Sequence, residues 1–128
     1  MNSARAGILI VDDDAPLAQS LADMLDIDGA YETRIVHSAA EAVAAAAEFL
    51  PAIVFLDIEL PDMSGYEAAE LLNQHPKLQA TRLIALTDSI ANSQRENARA
   101  AGFERYLVKP VSAIELRKVL RKSTGVRP

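Results

Sequence analysis

The sequence predicts an α/β domain built from five alternating strand–helix units around an open parallel sheet. Three observations carry this expectation. Short apolar runs rich in Val, Ile and Leu recur along the chain, and such runs read as strands buried on both faces. Segments with apolar residues at helical spacing lie between them. At four expected helix starts a serine is followed three residues later by a glutamate. In that capping-box spacing the serine accepts from a free backbone N–H and the glutamate reaches back.

The first strand is Gly7-Ile8-Leu9-Ile10-Val11, running into Asp12-Asp13-Asp14. Leu17, Leu21, Met24 and Leu25 then recur at helical spacing, Pro16 being tolerable in the first turn. Asp28-Gly29 ends that helix, and a second strand is expected near residues 33–36. Residues 38–49 are rich in alanine, the strongest helix former, and Pro51 follows them. Ala52-Ile53-Val54-Phe55-Leu56 is the third strand and ends in Asp57. Pro61 and Gly65 punctuate a loop before a helix over about 66–73, which His75-Pro76 interrupts. Residues 82–86 form the fourth strand, with Thr87 at its end. A weakly amphipathic fourth helix over 93–101 is stopped by Gly102. The fifth strand, Tyr106-Leu107-Val108, meets Lys109-Pro110, and Pro110 opens a last helix with Leu116, Val119 and Leu120 on one face. The capping pairs are Ser38/Glu41, Ser64/Glu67, Ser93/Glu96 and Ser112/Glu115.

The 128 residues suit one domain spanning 1–128, with a core over about 6–122 and a tail or linker start at 123–128. Half of the residues are hydrophobic, enough for a real core. A net charge of −5 argues against direct nucleic-acid binding, which requires a basic face. The absence of cysteine excludes disulfides and thiolate metal sites. The apolar stretch after the short N-terminal segment is too brief for a signal-peptide core or a membrane span. A soluble, cytoplasmic protein without membrane insertion is expected.

In an open parallel sheet the carboxyl ends of the strands share one edge, where ligands usually bind. Three of these ends are charged: Asp12-Asp13, Asp57 and Lys109. Adjacent carboxylates repel, and partial burial raises their pKa unless a cation compensates. A hard divalent cation is the natural partner, Mg²⁺ preferring a few carboxylates plus water and phosphate oxygens. Asp57 is the nucleophile candidate, because a carboxylate can attack phosphorus to form an acyl phosphate. Neighbouring strands about 4.8 Å apart would gather these acids around one metal. Lys109 would neutralise phosphoryl charge, and phosphoryl transfer depends mainly on positioning and neutralisation. Taken singly, the residues are less telling. Asp14 reads as a helix N-cap, Lys109 as a solvated lysine before a turn, and Thr87 either as a hydroxyl donor to a phosphoryl oxygen or as an ordinary strand end.

The ordered set Ile10-Val11-Asp12-Asp13-Asp14, Asp57-Ile58-Glu59-Leu60-Pro61 with Gly65, Ala85-Leu86-Thr87, and Leu107-Val108-Lys109-Pro110 resembles the receiver domain of two-component response regulators, along nearly the whole chain. The stretch 99–103 leading into 106–110 looks most like receivers of hybrid sensor histidine kinases. The resemblance implies a flavodoxin-like, doubly wound (βα)5 fold, with strand order 2-1-3-4-5 and helices on both faces. It implies Asp57 as phosphoacceptor, Mg²⁺ (Mn²⁺ as an alternative) held by Asp13, by Asp12 mainly through water, by Asp57 and by the backbone carbonyl of Glu59, and Lys109 as the phosphoryl anchor. Thr87 and Tyr106 would be the switch residues, and Pro110 a candidate for a cis bond with Lys109. The implied function is a phosphorelay step. A histidine kinase or histidine phosphotransfer protein donates phosphate to Asp57, and the domain catalyses its own phosphorylation and dephosphorylation without being a classical enzyme. Phosphorylation would shift an active/inactive equilibrium, with output or dimerisation through the fourth helix, fifth strand and fifth helix.

Asp88 departs from the family pattern, which has Ala or Gly after the Thr. It either crowds and repels a phosphodonor or points outward as a helix-start acid. Glu59 and Ser89 occupy the positions that tune acyl-phosphate lifetime in the family. His37 and His75 read as solvent-facing loop residues. Two alternatives compete. One is a phosphorylation-impaired receiver acting as an interaction module because of Asp88. The other is a haloacid-dehalogenase-type phosphatase using Asp12 and Asp14, against which no Thr or Ser completes the motif and no cap domain is visible.

Overall fold

The computed structural model describes residues 6–27, 29–88, 97 and 99–123. Five parallel strands lie in the order β2-β1-β3-β4-β5: β1 (Ala6–Val11), β2 (Tyr31–Val36), β3 (Ile53–Asp57), β4 (Arg82–Thr87) and β5 (Arg105–Val108). Helices α1 (Ala15–Leu25), α2 (Ala39–Phe49) and α3 (Gly65–Gln74) and a C-terminal helix (Ala113–Ser123) cover the sheet. The strand order reverses direction at β1 and β3. This leaves a crevice outside their carboxyl ends.

Alternation along the central strands divides the core in two. Ile8, Ile10, Ile53, Phe55, Ile84 and Leu86 pack against Leu21 and Leu25 of α1 and Leu116 and Val119 of the C-terminal helix. Leu9, Val11, Val54, Leu56, Leu83 and Ala85 face α2 and α3. Strands covered on both sides must be apolar at every position, which explains their unbroken runs. On the second face Ala39, Ala42 and Ala46 are fully buried, so the alanine-rich α2 approaches the sheet closely.

Some boundaries differ from the sequence expectation. β2 begins at Tyr31, before the expected 33–36 segment, with Tyr31 and Glu32 in register with Ala6 and Gly7. As the outer strand it alternates half-buried and exposed positions, which hides it from a search for apolar runs. The last helix starts at Ala113 rather than at Pro110. The Ser112 side chain accepts from the Glu115 N–H at 3.1 Å, and its carbonyl accepts from Leu116 N–H at 3.0 Å, so Ser112 sets the start. This helix continues through Ser123, one residue into the expected tail. A short 3-10 turn, Pro76–Leu78, follows α3 and buries Leu78. The Ser93/Glu96 pair, Ser89 and most of the expected fourth helix lie outside the described residues.

Gly65 at the start of α3 sits directly against the end of β3. A Cβ there would lie 2.4 Å from both the Asp57 carbonyl oxygen and Ile58 Cα. Both are backbone atoms, so the strand end or the helix would have to move. Gly65→Ala is expected to lower stability by about 2 kcal/mol, the scale of overpacking at a rigid contact. Urea unfolding checks this; an unchanged midpoint would show that the contact relaxes freely.

Candidate functional site

The acids gather where the fold places the ends of β1 and β3 side by side. Val11 pairs with Leu56 and Asp57 with Leu86. Asp12 therefore follows β1 directly beside Asp57. Asp12 is fully buried and Asp57 is 4% exposed, whereas Asp13 is exposed. Carboxylate oxygens of Asp12, Asp13 and Asp57 all lie within 4.8 Å of one another. Lys109, one residue past β5, places Nζ 3.0 Å from Asp12 Oδ2 and 3.2 Å from Asp57 Oδ2. Its backbone N–H donates to the Thr87 carbonyl at 2.8 Å, anchoring the lysine to β4.

Each acid is held differently. Asp57 Oδ1 accepts the Glu59 N–H at 2.9 Å and its Oδ2 accepts from Lys109. Asp12 Oδ1 accepts the Asp14 N–H at 3.0 Å. Asp12 Oδ2 is in ion-pair range of Lys109 but lacks hydrogen-bond geometry to it. It is thus a buried oxygen without a hydrogen bond among the described residues. The Lys109 ammonium offsets its charge, but the oxygen keeps open acceptor capacity. A cation, or a cation's water, would satisfy it. The donor set is all oxygen, two to three carboxylates with an open, exposed side at Asp13. It fits Mg²⁺, which binds few protein oxygens and keeps water.

The electrostatics reflect crowding. Burial pushes the Asp57 carboxyl up to about 6; the Glu59 N–H pulls it down, the Asp12 charge pushes it up and Lys109 pulls it down. For Lys109 burial alone would lower the pKa, yet Asp12 and Asp57 override it and hold the ammonium above its ordinary value. The cluster carries a charge imbalance that one lysine only partly offsets.

Other expected site residues lie around this centre. Thr87 is buried at the end of β4 and pairs with Val108. Tyr106 is half-buried, paired with Ala85, and packs against the α2–α3 side of the core. Glu59 is exposed, and so is Asp88 immediately after Thr87. The Lys109–Pro110 peptide bond is cis. Asp14 turns away: its Oδ1 accepts from Leu17 N–H at 3.1 Å and caps α1. That commitment leaves the two-acid phosphatase arrangement without its second acid.

Two residues at this edge escaped sequence reasoning. The His37 ring donates from Nδ1 to the Asp12 carbonyl at 2.9 Å, so although exposed it does not simply face solvent. Asp62, in the loop between β3 and α3, accepts from Ala39 N–H at 2.9 Å and Ala40 N–H at 3.0 Å. It supplies an acid to the start of α2, a helix distant in sequence.

With this geometry established, comparison with known proteins decides the family. The family described as response regulator receiver domain matches residues 8–121. The chain belongs to that family. This receiver domain is 30% identical over 118 residues to the polar-differentiation response regulator DivK of Brucella ovis, covering 92% of this chain and 95% of DivK. Among solved structures it is similar to the chemotaxis protein CheY4 of Vibrio cholerae, at 27% identity and a TM-score of 0.87, with 94% and 99% of the two chains covered. It is likewise similar to the receiver domain of sensor histidine kinase PA1611 from Pseudomonas aeruginosa PAO1, at 29% identity and a TM-score of 0.86, covering 96% and 100%. That domain was solved with a magnesium ion coordinated in its active site cleft. The receiver domain is therefore a component of two-component signalling, and no helix among its described residues is long and apolar enough to cross a membrane.

Proposed function

We propose that this receiver domain accepts a phosphoryl group on Asp57 from a phosphohistidine donor on a histidine kinase or phosphotransfer protein, in a Mg²⁺-dependent, self-catalysed reaction in the cytoplasm. The observation that carries the reading is the buried Asp12–Asp57 pair bridged by Lys109 at 3.0 and 3.2 Å. Asp13 at its open side adds a third acid to it.

Asp12, Asp13, Asp57 and the Glu59 backbone carbonyl would hold Mg²⁺. When bound, the ion would neutralise the acids and the incoming phosphoryl oxygens. The Glu59 N–H and Lys109 keep the Asp57 carboxylate in one orientation before the donor arrives. A carboxylate oxygen then bonds to phosphorus as the P–N bond to the donor imidazole breaks, its electron pair staying on the ring nitrogen. Lys109 remains with the phosphoryl oxygens, and the Thr87 hydroxyl donates to one of them. Those new contacts bias Thr87 and Tyr106 toward a second arrangement, and so shift a two-state equilibrium. In the impaired-receiver alternative the exposed Asp88, immediately after Thr87, would repel the donor and leave Asp57 unlabelled even at saturating Mg²⁺.

Incubation with a small phosphodonor is expected to label residue 57 in the presence of Mg²⁺ and to leave the protein unlabelled in chelator, as read by peptide mass after reductive trapping. A label on another residue, or no label at saturating Mg²⁺, would overturn the assignment.

A further inference from the structure

The first turn of α2 touches two loops that carry the acids. On one side the His37 backbone N–H, just before the Ser38 cap, donates to Glu41 Oε1 at 2.9 Å, and the His37 ring holds the Asp12 carbonyl. On the other side both oxygens of Asp62 accept the first two helical N–H groups, Ala39 and Ala40. The helix already has its own cap, since Ser38 Oγ accepts from Glu41 N–H at 3.2 Å. Asp62 satisfies two further free N–H groups of the same helix start, which Ser38 does not reach, and does so from a loop 22 to 23 residues further along.

That loop is the one that carries Glu59. It is closed at its base by the Glu59–Ser64 bridge and by the Gly65 N–H donating to the Ile58 carbonyl at 2.9 Å. Asp62 stands near its tip, so its two hydrogen bonds fasten the loop at the end away from its base. The two bonds from Ala39 and Ala40 hold the Asp62 carboxyl below the ordinary carboxylate value. An anion at a helix N-terminus interacts favourably with the free N–H groups and the dipole.

We infer that Asp62 is a positioning residue for the metal site: by clamping the β3–α3 loop to the first turn of α2, it fixes the Glu59 backbone against Asp57 and sets the affinity for Mg²⁺. This inference rests on the reading of the acid cluster as a Mg²⁺ site. Groups that orient metal ligands commonly change affinity by about tenfold or more when removed. The clamp also couples the two acid-bearing loops, because α2 is held to Asp12 through His37.

The test compares Asp62→Ala, Asp62→Asn and Ser38→Ala in the full chain. Mg²⁺ alone is titrated and followed by the amide signals of Glu59 and Thr87, and urea unfolding without metal measures stability. Asp62→Ala is expected to raise the Mg²⁺ dissociation constant about tenfold. Asp62→Asn, whose amide oxygen keeps one of the two bonds, should fall between. Ser38→Ala removes a cap of the same helix without touching the loop. It should lower the unfolding midpoint while leaving Mg²⁺ affinity unchanged. Wild-type affinity in Asp62→Ala would overturn the inference and leave a helix cap only. Equal weakening in Asp62→Ala and Ser38→Ala would overturn it too, because helix stability would then explain the effect. If the wild-type protein itself shows no Mg²⁺ response, the reading of the cluster as a metal site fails with it.

Discussion

Asp57→Asn is expected to abolish Mg²⁺-dependent acyl-phosphate formation and, in the same protein without metal, to increase stability at neutral pH. The first effect follows from loss of the nucleophilic carboxylate. The second follows from linkage. Asp57 is raised from 3.8 to about 6 in the fold, chiefly by burial. Between those values the folded state binds a proton that the unfolded state has lost. Stability from this group is thus fully present below 3.8 and is lost as pH rises through about 6. A displacement of that size corresponds to about 3 kcal/mol at most, and coupling to Asp12 and water at the open side reduce it to about 2 kcal/mol. Asn keeps the shape and removes the charge, so the variant should gain about 2 kcal/mol at pH 7 and nothing near pH 4. Urea unfolding of both proteins across pH 4–8 in chelator measures the difference. Saturating Mg²⁺ should stabilise the wild type more than the variant. A variant less stable than wild type at pH 7, or one that is still labelled, contradicts the site as described.

The stability gain expected on removing a reactive group also accounts for the legibility of this place in the sequence. Asp12 and Asp57 interrupt apolar runs at strand ends, where a merely stable protein would put a neutral residue or a cap. Such a local conflict marks function, and it is visible without coordinates because the strands are buried on both faces. Lys109 was weaker evidence, since a lysine after a short strand is ordinary; its meaning came from its order among the other motifs. Legibility fell where burial was one-sided or contacts were remote. Tyr31 and Glu32 form the start of the outer strand, where exposed and half-buried positions alternate. The start of the C-terminal helix depended on Ser112 rather than on Pro110. His37 and Asp62 reach backbone groups 25 and 22 to 23 residues away. A cap supplied from so far along the chain leaves no spacing to detect, unlike the Ser64/Glu67 box, both of whose bonds form locally.

Lys109→Met should produce the opposite sign from Asp57→Asn and expose what the cluster costs without its cation. Met preserves an unbranched apolar stem of similar length, so the lost element is the ammonium. Asp12 is fully buried and Asp57 nearly so, and both contact that ammonium. Removing one partner from a buried ionic cluster typically costs about 3–5 kcal/mol, because the remaining charge is left uncompensated. Proton uptake by Asp57 limits the damage, so about 3 kcal/mol is expected at pH 7 in chelator. The loss should shrink at pH 5, where Asp57 is protonated in the fold, and again with Mg²⁺, whose charge replaces that of the lysine. Lys109 itself, held above 10.5, stays charged across this window and contributes no slope of its own. The double variant Asp57→Asn/Lys109→Met isolates the coupling: with one acid already neutral, the lysine has less to compensate, and its removal should cost clearly less than in the wild-type background. Additive effects in that cycle, or a loss indifferent to pH and Mg²⁺, would mean that Lys109 acts through packing of its stem rather than as the cation of the site.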